Sequence, residues 1–282
     1  MIFFGLLVIT SFVSTTCIEY SEKCVCGKQN VDDRIIGGKE AKRGAYPFHV
    51  AFLDSRSDFY FCAGTLVNNR WIITAAHCMY NENLFSFVAV VGALKMTSEA
   101  KKSHRKYAIE KFKIHPNYTH SPYFMYDIAV VKLKSDVVFD NYTGVACLPS
   151  NDMSDPEQIF DNLVVAGFGK TSADSLSSSE ILMDVDLQQR NQSECKQIYN
   201  RKRERYTDKH ICANDQGKDV CNGDSGGPLL TRRRGSLFFV GAVSWGVICG
   251  GYKYPSVFTR ITAYEDWFKQ YINEDASICL VK

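Results

Sequence analysis

Short apolar stretches rich in β-branched and aromatic residues recur along the chain: Phe48 to Leu53, Trp71 to Thr74, Phe85 to Val91, Ile128 to Leu133, Leu163 to Ala166, Leu237 to Val243 and Val257 to Thr259. Each is short for a helix, and Gly, Asn, Asp and Ser fall between them, so the pattern predicts strands joined by turns. It runs from about residue 35 nearly to the end, with no linker-like break, internal repeat or low-complexity tract. That regular succession predicts an all-β fold. The exception is the C-terminus, where Tyr264, Trp267, Phe268, Tyr271 and Ile272 fall at helical spacing among charged residues. They predict one amphipathic helix closing the fold, its aromatic face packed on the core.

The first residues change the picture. Ile2 to Val13 is apolar but too short to span a bilayer, and small residues Ser14, Thr15 and Thr16 follow. This reads as a cleaved signal peptide ending on either side of Cys17, about residues 1–17. No later segment is long and apolar enough to cross a membrane. Eleven cysteines behind an export signal predict a secreted, extracellular protein with structural disulfides. If Cys17 leaves with the signal, ten remain, an even number. Asn117-Tyr118-Thr119, Asn141-Tyr142-Thr143 and Asn191-Gln192-Ser193 are glycosylation acceptors by pattern.

Charge excludes some classes of partner. The chain carries 33 basic and 31 acidic side chains, net +2, so no overall field favours nucleic acid or a membrane surface. Local basic loops remain: Lys95, Lys101, Lys102, His104, Arg105 and Lys106; Arg201-Lys202-Arg203-Glu204-Arg205; and Arg232-Arg233-Arg234. Most such runs are solvated loops; the sharper reading is an exosite for a polyanion or an acidic partner.

Gly223-Asp224-Ser225-Gly226-Gly227-Pro228 carries the strongest chemical signal. Glycines around a serine let the backbone approach a substrate carbonyl and turn two amides toward one point. Alone, such a run is only a turn. Upstream, however, lie Thr74-Ala75-Ala76-His77-Cys78 and Asp127-Ile128-Ala129-Val130, giving the order His, Asp, Ser. A serine hydroxyl is a poor nucleophile until a base within hydrogen-bond reach takes its proton, and these residue types supply that need. The constellation resembles the chymotrypsin family of serine peptidases, over residues 35 to about 273. The resemblance implies two six-stranded antiparallel β-barrels with a C-terminal α-helix, and a trypsin-like endopeptidase needing no cofactor. It implies Ser225 as nucleophile, His77 as general base and then acid, and Asp127 as the group that orients the imidazole. The amides of Gly223 and Ser225 would form the oxyanion hole. His49, His104, His115, His120 and His210 sit in no comparable motif and read as surface or structural residues.

Further roles follow from the same resemblance. Arg34-Ile35-Ile36-Gly37-Gly38 is similar to the family's activation site, making residues 18–34 a propeptide and 35–282 the peptidase domain. The ammonium freed on Ile35 would pair with Asp224 and order the oxyanion hole. Implied disulfides are Cys62 with Cys78, Cys195 with Cys212, and Cys221 with Cys249. A propeptide cysteine would bond Cys147, with Cys26 the first choice and Cys24 the second; Cys279 has no family counterpart, and Cys24 is its most economical partner. Asp219 aligns with the acid at the base of trypsin's pocket and implies cleavage after Arg or Lys. Ser244, Trp245 and Gly246 would form the wall on which substrate backbone docks.

Three residues depart from trypsin around that pocket. Val220 replaces a serine, Ser256 stands for a wall glycine behind Pro255, and Ile248 stands at the mouth; together they predict weaker cleavage after Lys than after Arg. Ala93 and Ser103 fall where calcium-binding trypsins carry glutamates, so no metal is expected there. The implied partners are polypeptide substrates, an activating trypsin-like peptidase and protein inhibitors such as serpins. Two alternatives differ in kind: an elastase-like or chymotrypsin-like peptidase, and a non-catalytic binding homologue. Homologues of the second sort usually lose a triad member, and here none is lost.

Overall fold

The structure, a computed structural model, describes residues 25–30, 39–120, 124–170, 175, 177–200, 206–215, 220–247 and 253–273. The candidate signal peptide, Cys24, the Arg34–Ile35 bond, Asp219, Ile248, Cys249, the 201–205 cluster and Cys279 lie outside the described residues.

A two-residue strand, β1 (Lys39–Glu40), comes first. Six strands then close into a barrel: β2 (His49–Asp54), β3 (Tyr60–Leu66), β4 (Trp71–Thr74), β5 (Phe87–Val91), β6 (Lys106–Ile114) and β7 (Ala129–Leu133), in the order β2-β3-β4-β7-β6-β5. The second barrel comprises β8 (Leu163–Gly167), β9 (Met183–Gln189), β10 (His210–Asn214), β11 (Pro228–Arg233), β12 (Ser236–Trp245) and β13 (Ser256–Arg260). Its order is β9-β10-β13-β12-β11-β8, closed by pairing of β8 with β9, while β1 lies along β9 as an added edge. All pairings within both barrels are antiparallel. The all-β reading with two six-stranded barrels therefore holds.

Strands with continuous apolar runs are buried on both sides: every residue of β4 and β7 is buried. By contrast, β6 alternates, with Tyr107 and Ile109 inward and Lys106, Ala108 and Glu110 outward, as expected of a strand with one wet face. Among the described residues four helices decorate the barrels: α1 (Ala76–Met79), α2 (Ser98–Ser103), α3 (Gln192–Asn200) and α4 (Glu265–Ile272). The last follows a 3₁₀ turn, Ile261–Tyr264, and buries Phe268 and Ile272, so the predicted terminal helix holds four of the five residues of that run, all but Tyr264.

The chain between the barrels ties them together. Ala146 N–H donates to Leu66 O in the first barrel (3.0 Å), and Cys147 exchanges backbone bonds with Leu237 and Phe239 in the second (3.1 and 2.9 Å). Residues 25–30 pack on this crossing. Cys26 is disulfide-bonded to Cys147. Gly27 donates to Val145 O (2.7 Å) and accepts from Leu237 N–H (2.9 Å). Gly27 has φ +63°, and a side chain there would strike the Leu237 backbone, so only glycine fits this close approach. Two further disulfides are Cys62–Cys78 and Cys195–Cys212, and Cys221 is disulfide-bonded as well.

Candidate active site

Strands β4 and β7 pair directly, Thr74 opposite Ala129, so the residues just after β4 and just before β7 meet at one end of the first barrel. His77 sits there in α1, and Asp127 stands ahead of β7. The carboxylate of Asp127 is fully buried. A bare anion in such a place would be costly, and here every approach is filled by a donor. His77 Nδ1 lies 2.8 Å from Oδ2, the His77 backbone N–H donates to Oδ1 (2.9 Å), and Ser244 Oγ donates to Oδ2. Thr259 Oγ1 donates to the Asp127 carbonyl (2.8 Å), so strands of the second barrel hold the residue from behind. Burial lowers the pKa of His77, but the charge of Asp127 and its hydrogen bond outweigh that, leaving the imidazole above its ordinary value.

Ser225 comes from the second barrel and is docked onto the first. Its carbonyl accepts from Ala63 N–H of β3 (2.8 Å). Gly226, at φ +76°, presses on Thr74 Oγ1 and Ala63 O with no room for a side chain, which brings the serine turn against the end of β4, three residues before His77. Gly223 is also left-handed, φ +104°, and its carbonyl accepts from Tyr60 Oη (2.5 Å). Between them Asp224 points inward and is buried. Its carboxyl oxygens accept from Gly169 N–H (2.8 Å) and Cys221 N–H (3.0 Å). Side chains at Gly167 or Gly169 would overlap the carboxylate. Desolvation pushes Asp224 up to about 6, with the two backbone donors pulling the other way, and no cation meets it among the described residues.

Beside this centre runs a wall built from β12 and β13. Trp245 ends β12 and packs edge-on against Tyr199 of α3, ring centroids 4.9 Å apart, and the Tyr199 hydroxyl donates to Pro255 O. Ser256 begins β13 and is buried; its Oγ lies 3.0 Å from where a Cβ on Gly246 would stand. Val220 is buried as well.

Two residues that sequence reasoning missed are Tyr60 and Phe124. Phe124 stands edge-on to the His77 ring, centroids 5.9 Å apart, and both it and Tyr126, just before Asp127, have positive φ (41° and 54°). Such strained backbone gathers at functional sites because the surrounding structure must over-determine it. An aromatic stack of Tyr80 on His120 (4.7 Å) backs Phe124, so His120 does not float free on the surface. His49 and His210, read as surface or structural residues, are both buried.

Three side chains of the basic loops meet neighbours. Lys106 pairs with Asp58 (2.6 Å), Arg233 with Asp152 (2.7 Å), and Arg232 donates to Gln29. His77 also lies near the sulfurs of Cys62 and Cys78, but these are joined to each other and so are not metal ligands.

Comparison with known proteins gives one consistent answer. The family described as Trypsin matches residues 35–268. The crayfish Astacus astacus protein Trypsin-1 is 32% identical over 242 residues, 83% of this chain and 98% of that protein. Venom serine protease Bi-VSP of Bombus ignitus is 35% identical over 258 residues, covering 86% of this chain and 70% of the relative. CLIP domain-containing serine protease B15 of Anopheles gambiae is 32% identical over 269 residues, 90% of this chain and 73% of the relative.

Proposed function

The chain belongs to the trypsin family of serine endopeptidases, and on that premise we propose that it is a secreted zymogen that cleaves polypeptides after Arg, less well after Lys, through Ser225, His77 and Asp127. The observation that carries this reading is the His77–Asp127 contact of 2.8 Å with Ser244 on the same carboxylate. With Nδ1 engaged, Nε2 is the nitrogen left to take a proton. Ser225 Oγ attacks the substrate carbonyl carbon as its proton passes to His77, and Asp127 stabilises the imidazolium. The amides of Gly223 and Ser225 receive the oxyanion. Collapse expels the amine, which takes the proton from His77; water then repeats the sequence on the acyl-enzyme and frees Ser225.

Cleavage between Arg34 and Ile35, by a trypsin-like peptidase, would supply the ammonium that the buried Asp224 lacks among the described residues. Export, glycosylation at Asn117, Asn141 and Asn191, a Cys221–Cys249 bond and control by inhibitors such as serpins belong to the same reading. Relatives carry names that speak of venom, and among the described residues no helix is long and apolar enough to cross a membrane. No observation favours a polyanion exosite at the basic loops, and none is proposed.

Specificity rests on Asp219 supplying a carboxylate to a guanidinium that can pair with it through two hydrogen bonds. A second reading, an elastase-like or chymotrypsin-like preference, is favoured by one observation: Val220 and Ser256, the larger replacements for trypsin's serine and wall glycine, are both buried. Matched peptides ending in Arg, Lys, Phe, Leu and Ala separate the two after activation, with Ser225→Ala as the inactive control. Efficiency should fall in the order Arg, Lys, then the rest, and Ser256→Gly should raise it on Arg. Leu or Phe ahead of Arg would install the second reading instead.

A further inference from the structure

Among the described residues, the exposed side chains of Val25 (56%) and Phe139 (48%) line one region of the surface, with exposed Val138 (64%) beside Phe139 in the chain. An exposed apolar patch on an exported protein calls for a cover. Asn141 stands in its midst. The turn that carries it is firmly built: Asp140 Oδ1 accepts from the N–H groups of Tyr142 (2.7 Å) and Thr143 (2.9 Å), and Asp140 N–H donates to Thr143 Oγ1 (3.0 Å). The Asn141 backbone carbonyl is held by Asn30 Nδ2 (2.8 Å), while its own side chain makes no hydrogen bond among the described residues. Beside it opens a shallow cavity of about 250 Å³, lined in part by Val25, Lys28, Asn30 and Phe139.

We propose that Asn141 carries an N-linked glycan whose first sugar lies on the Phe139 ring, covering this patch and bracing the turn. The proposal rests on the reading that the chain is exported. Transfer forms a bond from sugar C1 to Asn141 Nδ2 as the C1–O bond to a lipid pyrophosphate donor breaks. The amide gives up one proton, and the pyrophosphate leaves with the bonding electrons. The weakly positive C–H groups of a sugar face meet the negative face of an aromatic ring, and Phe139, two residues before Asn141, is a half-exposed ring placed for that contact. The other acceptors lack it. Two residues before Asn117 is His115, whose ring is packed against Tyr126 and Trp267, each 5.0 Å away. Two before Asn191 is Gln189, and Asn191 Oδ1 is already the cap of α3, accepting from Glu194 N–H (2.8 Å).

The test uses the full chain, with Ser225→Ala to prevent self-cleavage, secreted from a eukaryotic cell. Peptide mass spectrometry should find sugar on Asn141. Endoglycosidase trimming to a single sugar should leave Tm unchanged, whereas complete removal should lower it by about 2 to 4 °C, the shift expected of one modest contact in a domain of this size. In a Phe139→Ser background, removal should have no such effect. A secreted protein bare at Asn141, or an equal loss of Tm with serine at 139, would overturn the proposal while leaving export intact. Retention in the cell with all three acceptors bare would overturn export and the glycan together.

Discussion

Asp127 and Tyr60 solve the same problem at the scale of a single residue. Each is buried and polar, and each has a specific reason to be there. The buried Asp127 carboxylate is met by donors from His77 and Ser244. Tyr60 sits one strand away, and its hydroxyl fixes the Gly223 carbonyl at 2.5 Å, next to the amide assigned to the oxyanion hole. Tyr60→Phe would leave that carbonyl without its partner, a loss of about 1 to 3 kcal/mol. As a positioning residue, Tyr60 should act on the transition state more than on bound substrate, so kcat should fall about 5- to 150-fold with KM little changed. A drop in Tm with kcat preserved would make its role purely structural. The triad candidates could be read from sequence because each lies in a short local motif. Tyr60 could not, since its partner is 163 positions away and only closure of two barrels brings them together.

The same contrast governs the elements. Strands buried on both faces, such as β4 and β7, announce themselves as apolar runs. Strands with one wet face do not: β6 carries Lys106, Glu110, Lys111 and Lys113, and β9 reads Met-Asp-Val-Asp-Leu-Gln-Gln, patterns easily taken for loops. The segment 25–30 is legible only through Cys26, yet it behaves as part of the fold, bonded to Cys147 and hydrogen-bonded through Gly27 to both sides of the barrel crossing. Cutting after Arg34 should therefore leave the light chain attached. Gels of the activated enzyme should show one band without reductant and a released light chain with it, and the double variant Cys24→Ser, Cys26→Ser should release that chain under both conditions. A light chain freed without reductant in the parent protein would mean that the tether is not made.

At the scale of the whole molecule, the proposed activation reduces to the state of one carboxyl. Asp224 is buried and pushed up from 3.8 to about 6, so in the uncut chain the folded state holds this proton more tightly than the unfolded state does. The resulting stability is fully present below pH 3.8 and is lost as pH rises through about 6, a change on the order of 3 kcal/mol. Burial also holds His49 down to about 3 and His210 down to about 4. Their contribution has the opposite sign: it is present above the ordinary histidine pKa and lost as pH falls through the folded values. These histidines are common to both forms of the protein, so the comparison of cut with uncut chain cancels them. An Ile35 ammonium paired with Asp224 would hold the carboxyl low and the amine high, adding stability between their two folded pKa values. For the Ser225→Ala protein, the Tm curves of the precursor and the form cut after Arg34 should therefore separate further as pH rises from 4. They should diverge by roughly 6 to 12 °C by pH 7, with the cut form the more stable. In Asp224→Asn, which has no charge to bury, the divergence should vanish. Parallel curves in the parent, or divergence that survives Asp224→Asn, would show that the switch is built on other groups.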